Sequence, residues 1–381
     1  MRSHRIAVVI FFFVNGFLHA NLMARLPALQ QSLHISNTVL GSLLFAIAFG
    51  ALLAMPVTGW LTTLFGSARV TTVTGILFCI AIPIIPMATQ LWLLRFWFFF
   101  LGISTGSMDV AMNGQAVWVE QEYKKPIMSS FHAWFSIGMA TGAGTGALFS
   151  NFQISLAPHL LGMSMVALIA ILYFSKNLMK IAPIPTVQAM EKQNWMFLKI
   201  IQLVLPLGLI AFASMTTEGS MADWSAIYMR KIIGQNLVTS ALAFGVFAAG
   251  MTLGRIFGDY FTFKFGYQRL LLMDAVAAIS GLALLLSFHF VLTAFLGLFI
   301  IGLGVATIVP IVFSTAGNTK GIQPSVGIAA ATSIGYLGFF IGPPVIGYLA
   351  DAYNLRIGLF YTLFLLIMML LLILRVFKKK E

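Results

Sequence analysis

Two stretches 200 residues apart decide the fold: GALLAMPVTGWLTTLFG at 50–66 and GMTLGRIFGDYFTFKFG at 250–266. Gly50 matches Gly250, Trp60 matches Tyr260, and Thr62-x-x-Phe65-Gly66 matches Thr262-x-x-Phe265-Gly266. Further along, Gly102 matches Gly302 at the same offset. Chance supplies some matches in a chain with 34 glycines, but agreement on one offset near half the chain length points to a duplicated unit.

The sequence around these repeats is that of a polytopic membrane protein. Mean hydropathy is +0.98 and charged residues are 8% of the chain, against about 25% in soluble domains. A helical span needs about 20 apolar residues. Apolar runs between charged or turn-rich breaks predict twelve spans, at 6–29, 37–63, 68–88, 91–118, 127–150, 156–175, 199–229, 237–262, 268–287, 290–315, 324–349 and 356–376. The longest polar connection, 176–198, separates an N-terminal half, 1–175, from a C-terminal half, 199–381. The expected fold class is therefore an all-α membrane protein with twelve transmembrane helices in two pseudo-symmetric six-helix halves. The basic, then apolar start is read as the first span and not as a signal peptide, because no small-residue cleavage site follows it.

Charge placement sets the orientation. With the N-terminus inside, sixteen lysines and arginines fall in inner segments, while Arg25, Arg95, Arg230, Lys231 and Arg356 lie at outer ends. That bias predicts a bacterial inner-membrane protein with both termini cytoplasmic. The net charge of +12 is then a matter of topology, and no nucleic-acid partner is expected. The lone Cys79 excludes an intrachain disulfide.

No carboxylate occurs before Asp109, which sits in the apolar run LGISTGSMDVAMNGQA at 101–116. An ionisable side chain at bilayer depth costs about 2.5 to 3.5 kcal/mol on insertion scales, so by default it marks an ion, proton or substrate path. Spans 4 and 5 turn around 120–126, and an antiparallel hairpin with that centre sets Asn113 opposite His132 and Asp109 level with Ser136. At 1.5 Å per residue Asp109 lies about 16 Å from the turn, near the midplane. Asp109 and Asn113 are four apart and share a helix face. An acid, an amide and an imidazole at one depth make a protonatable, hydrogen-bonding patch. Asn113 and His132 equally fit interhelical hydrogen bonding without a transport role.

Glu218, in TTEGSMADW at 216–224, is the second intramembrane acid. It is expected to bind substrate, carry protons, or pair with Arg25 at the outer end of span 1. Asp223 reads as a hydrated end-of-span acid. Trp224 fits an interfacial anchor or a substrate platform. Arg255 and Asp259 are at i, i+4, and the turn between spans 8 and 9 sets Arg255 opposite Asp274. This predicts an ion-pair latch, either gating or static. Asn15, His19 and Asn21 lie within span 1, in positions open to facing the central cavity. Gly342-Pro343-Pro344 is expected to break span 11, since proline removes a backbone donor.

Enzymatic and nucleotide-driven readings find no support. There is no GxxxxGK[ST] loop, and no Cys/His cluster has metal-ligand spacing. No metal and no cofactor is expected.

Five stretches carry a family resemblance: ARLPALQQSL, GSMDVAMNGQAVWVE, SSFHAWFSIGMATGAGTGAL, TTEGSMADWSAIYM, and the pair IGLGVATIVPIVFSTAG and IGYLGFFIGPPVIGYLAD. Together they resemble the YbjJ-type branch of the major facilitator superfamily, a neighbour of the fucose–proton symporter group. The resemblance spans nearly the whole chain. It implies alternating access about a midplane site between the halves, proton coupling, and a functional acid at the position of Asp109. The symporter relatives also use an acid on helix 1, and here span 1 has none. Thr63 stands where the superfamily's loop signature places an aspartate, and the second copy has Phe263.

The expected function is a proton-coupled secondary transporter of a small polar solute, acting as a monomer in the lipid bilayer. Asp109, Glu218 and His132 are the proton-coupling candidates. Asn15, Asn113, Asp109, Glu218 and Trp224 are the substrate-binding candidates, and Arg255, Asp259, Asp274 and Arg25 the gating ones. A drug or metabolite efflux antiporter is the alternative, and a non-transporting membrane sensor on the same fold is a third reading.

Overall fold

Gly66 and Gly266 hold the same strained turn, with φ 80° and ψ 144° at the first and φ 76° and ψ 162° at the second. Only glycine adopts that region without a steric penalty, which accounts for the matched residues at the ends of the two repeats. In the computed structural model, residues 2–35, 37–180, 193–235 and 237–376 are described. The portion 181–192 of the expected connection between halves lies outside them.

The helices are α1 (Arg2–Ala24), α2 (Leu26–Leu33), α3 (Asn37–Phe65), α4 (Ser67–Ile84), α5 (Leu91–Tyr123), α6 (Met128–Asn151), α7 (Leu156–Ser175), α8 (Gln193–Lys231), α9 (Leu237–Ser287), α10 (Val291–Val305), α11 (Ile308–Gly317), α12 (Pro324–Ala352) and α13 (Leu355–Val376). Among the described residues, ten helical runs are long and apolar enough to cross a membrane. One of them lies within α9 and folds back at Gly266, supplying two spans. Its two arms pack on the same helix: a Cβ on Gly254 would meet Ala306 and Leu303, and a Cβ on Gly304 would meet the backbone of Asp274 and Ala278. The glycine-rich α6 is the remaining span, completing twelve.

The duplication extends to the packing. A Cβ on Gly50 would lie 2.3 Å from the Phe99 carbonyl oxygen, and one on Gly250 would lie 2.3 Å from that of Phe299. A Cβ on Gly102 would lie 2.0 Å from the Ile47 carbonyl and one on Gly302 2.2 Å from that of Phe247. Every partner repeats at the offset of 200. Lipid tails are as apolar as leucine, so helices in a bilayer associate through close packing, and small residues at the contact permit it.

Two compact units result. Unit 1 comprises Met1–Lys124, Phe131–Leu198 and Gly317–Ala330, and unit 2 comprises Lys125–Ser130, Lys199–Ala316 and Ala331–Glu381. The short segment 125–130 thus belongs with unit 2, and its repeat equivalent 325–330 belongs with unit 1. Within unit 1, Gly59 and Gly114 make room for Ala329 and Ser325 at the start of α12. Within unit 2, Gly258 does the same for Ser129 at the start of α6.

Two local expectations need correction. The helix α12 continues through Pro343 and Pro344 instead of breaking there. Proline's fixed φ is itself helical, and membrane helices tolerate the lost donors where neighbours re-satisfy the freed carbonyls. Span 1, expected over 6–29, is interrupted at Arg25, where Pro27 cannot donate back to residue 23. The connection between α10 and α11 at Ala306–Thr307 has the same origin, since Pro310 cannot donate to the Ala306 carbonyl.

Candidate functional site

In unit 1, α5 presents Thr105, Asp109 and Asn113 at successive intervals of four, which places them on one face. The Asn113 amide donates to the Asp109 carbonyl oxygen at 2.8 Å and to its carboxylate Oδ1 at 3.1 Å. Thr105 donates its hydroxyl to Asn15 Oδ1 of α1 at 3.2 Å, and Asn15 Nδ2 lies 3.8 Å from the Met112 sulfur. Asn15 and Asn113 are buried, while Asp109 is partly exposed. The Asn113 Oδ1 is buried without a hydrogen-bond partner among the described residues. His132 on α6 is buried edge-on to Phe12, ring centroids 5.2 Å apart, and its carbonyl accepts the Ser136 hydroxyl. The polar partner of Asn113 is thus Asp109 on its own helix. Thr105 was missed in the sequence, although the spacing rule that joins Asp109 to Asn113 reaches it when run backwards.

Arg25 belongs to a different cluster of unit 1. Its guanidinium donates to the Ile154 carbonyl at 2.8 Å and approaches His159 Nδ1 at 3.4 Å. Because arginine can only donate, Nδ1 is the acceptor, and the protonated Nε2 of His159 donates to Asn21 Oδ1 at 2.9 Å. Thr145 donates to the same oxygen at 2.9 Å. All these side chains come from the ends of α1, α6 and α7, and Phe149 stacks on the imidazole at 4.5 Å. The arrangement ties the 151–155 turn to α1. The signal for it in the sequence was His159, a lone polar ring near the start of span 6.

Unit 2 holds the other candidates. Glu218 on α8 and Arg255 on α9 form an ion pair with Nη2 and Oε2 3.7 Å apart. Glu218 therefore pairs within its own unit with Arg255, where Arg25 had been one expected partner. Asp274 accepts a hydrogen bond from the Thr307 hydroxyl and has no ion pair among the described residues. The expected Arg255–Asp274 latch is not formed. Thr307 lies at the interruption between α10 and α11, so the carboxylate is tied to a break in a neighbouring helix through that hydroxyl. Asp259 accepts the backbone N–H of Ser130 at 2.9 Å, in the first turn of α6. The Trp224 ring lies 3.6 Å from where a Cβ on Gly347 would be, and its indole nitrogen is buried without a hydrogen-bond partner among the described residues. No group of three or more His, Cys, Asp or Glu residues able to hold a metal occurs among the described residues.

An all-α membrane fold of two repeated six-span units, with acids inside its spans, is that of a secondary transporter working by alternating access. The chain belongs to the Major Facilitator Superfamily, whose family model matches residues 8–343. It is 29% identical over 356 residues to an uncharacterized MFS-type transporter of Yersinia pestis, covering 93% of this chain and 91% of that one. It is 30% identical over 355 residues to the uncharacterized transporter y4wD of Sinorhizobium fredii, covering 92% of each. The crystal structure of the Escherichia coli fucose:proton symporter FucP matches with a TM-score of 0.80 over 98% of each chain at 16% identity, a likeness of fold. The family and the matched structure are transporters, and the chain is not an enzyme.

Proposed function

We propose that this chain is a proton-coupled transporter of a small polar solute, a monomer of the YbjJ-type branch in a bacterial inner membrane with both termini cytoplasmic, and that Asp109 is its proton site. The observation that carries this reading is the Asp109–Asn113 pair. A carboxylate that loads and unloads a proton needs a neighbour able to serve both states. Ionised Asp109 accepts from the Asn113 Nδ2–H group, as the geometry has it. Protonated Asp109 must donate, and the unpartnered Asn113 Oδ1 becomes its acceptor once the amide turns over. Asn15 and Thr105, bonded to each other beside this pair, supply neutral groups for solute hydroxyls or amines. His132 is the accompanying titratable group on α6.

The test is transport in proteoliposomes loaded with a pH-sensitive dye, supplied with radiolabelled amino acids, sugars and nucleosides. The parent protein accumulates a solute when a proton gradient is imposed and moves protons with it. Asp109→Asn is expected to fold and to exchange solute across the membrane, but to lose gradient-driven accumulation and proton movement. Full pH-dependent accumulation by that variant refutes the assignment.

A further inference from the structure

Asp274 lies in the second arm of α9, about 12 Å along the helix from the turn at Gly266. It is buried, and its one hydrogen-bond partner among the described residues is the Thr307 hydroxyl. The helices α10 and α11, which pack on this arm, carry no ionisable side chain. On the first arm, Arg255 pairs with Glu218 and Asp259 holds the Ser130 N–H. Lys264 and Arg269 flank the turn, and α13, which also packs on α9, carries Arg356, Tyr361 and Arg375. None of these groups is bonded to Asp274 among the described residues. An ionised carboxylate buried with one hydroxyl and no counter-ion loses more hydration than that bond returns, and a proton removes the loss.

Thr307 is placed to serve either state of that acid. The buried Thr71, Thr217 and Thr262 turn their hydroxyls back onto their own helices, donating to the carbonyls of Ser67, Ala213 and Gly258, four residues earlier. Thr307 is buried to a similar degree but gives its hydroxyl to Asp274. The carbonyl four residues before it is that of Leu303, which accepts the Ala306 N–H at 3.3 Å and has a second lone pair. The duplication supplies a control. At the offset of 200 the two positions are Thr74 and Ser107. Thr74 donates to the Val70 carbonyl at 2.9 Å, and Ser107 accepts the Thr58 hydroxyl at 2.8 Å. The first copy closes with neutral groups, so the repeated fold does not demand a carboxylate at 274.

We infer that Asp274 is a second proton-binding site, and that its proton resets the hydrogen bonding at the break between α10 and α11. Ionised, the carboxylate accepts the Thr307 hydroxyl, as the geometry has it. Protonated, the carboxyl O–H donates to Thr307 Oγ1, and the threonine hydroxyl turns to the Leu303 carbonyl. One proton is gained and every donor keeps an acceptor. The role in transport rests on reading the chain as proton-coupled, while the binding of the proton does not depend on Asp109.

Infrared spectroscopy of the purified protein, with no solute and no gradient, reads carboxyl protonation directly. A protonated-carboxyl band is expected that disappears as pH rises, is missing in Asp274→Asn and survives in Asp109→Asn. Thr307→Val should move that band, and Thr307→Ser should leave it in place. Deuterium uptake over 303–311 reads the helix break, with the parent compared to Asp274→Asn at each pH so that the intrinsic exchange rate cancels. The two proteins should agree at acidic pH, where both side chains are neutral, and separate as the band is lost. Asp274→Thr, which copies the first half, serves for the band if Asp274→Asn does not fold. Three results overturn the inference: no band depends on Asp274, the band ignores Thr307→Val, or the uptake of the two proteins agrees at every pH. Gradient-driven accumulation by Asp109→Asn would remove the Asp109 assignment and leave these three readouts untouched.

Discussion

Asp259 offers the most direct quantitative test of how the repeated ends of the spans are held. Its carboxylate accepts the Ser130 N–H at 2.9 Å. Ser130 lies in the first turn of α6, where backbone donors have no partner within their own helix and the helix pole is positive. A hydrogen bond to a charged acceptor is worth about 1.5–3 kcal/mol. The attraction of the helix pole is part of the same contact and is not added to it. Removing the carboxylate with Asp259→Ala should therefore favour the undocked state of 125–130 by about 10- to 100-fold, since ~1.4 kcal/mol is a factor of ten. The reporter is Ser129, which is buried against Gly258 at 2% exposure. In Ser129→Cys the only other thiol is Cys79, also buried at 2% exposure, so maleimide labelling reads the docking of this one segment. Asp259→Ala should speed labelling of the introduced thiol by the stated factor. Asp259→Asn, which keeps a neutral acceptor worth about 0.5–1.5 kcal/mol, should fall between the parent and the alanine variant. Labelling that rises by much less than tenfold in Asp259→Ala means that the carboxylate does not hold the segment, and its capping role is refuted.

Other expectations concern packing and the proton site. Gly50→Ala and Gly250→Ala each place a methyl carbon 2.3 Å from a carbonyl oxygen, so both should lose about 1–3 kcal/mol of stability by overpacking. The two losses, measured by unfolding in detergent, should match, and one neutral variant would break the structural equivalence. In a double-mutant cycle of Asp109→Asn and Asn113→Leu, the two sites should couple by about 0.5–3 kcal/mol. Additivity within ~0.3 kcal/mol would remove the hydrogen bond from the account.

The parts of this molecule that sequence could yield are those governed by one helix or by the repeat. Gly66 and Gly266 were matched letters, and each turned out to occupy a backbone region closed to other residues. Asp109 and Asn113 were four apart, and the helix made them partners. Relations among three helices were not legible. The hairpin register placed Arg255 opposite Asp274 because it considered two arms and a turn. The helix α10 packs against both arms, as Gly254 and Gly304 show, and the break that follows it offers Thr307 to Asp274. Arg255 pairs instead with Glu218 of α8. Two-helix spacing contains no term for a third helix that competes for the same side chain.

The same limit explains why the duplication predicted the scaffold but not the site. Backbone contacts at Gly50 and Gly250, or Gly102 and Gly302, tolerate no added atom, so both copies must solve them in the same way. The ionisable positions are under no such constraint. Asp109 corresponds to Val309, Asn113 to Phe313, Glu218 to Leu18 and Arg255 to Met55. Each of these polar groups has a buried apolar counterpart, so no position needs its charge for the helix to pack there. A charge retained inside a span at several kcal/mol of insertion cost, where the sister position does without it, is best explained by what passes through the protein. On that ground we propose a transport role for Asp109 and for the Glu218–Arg255 pair. Arg25, whose guanidinium reaches the Ile154 carbonyl and the His159 ring, is left to holding a turn in place.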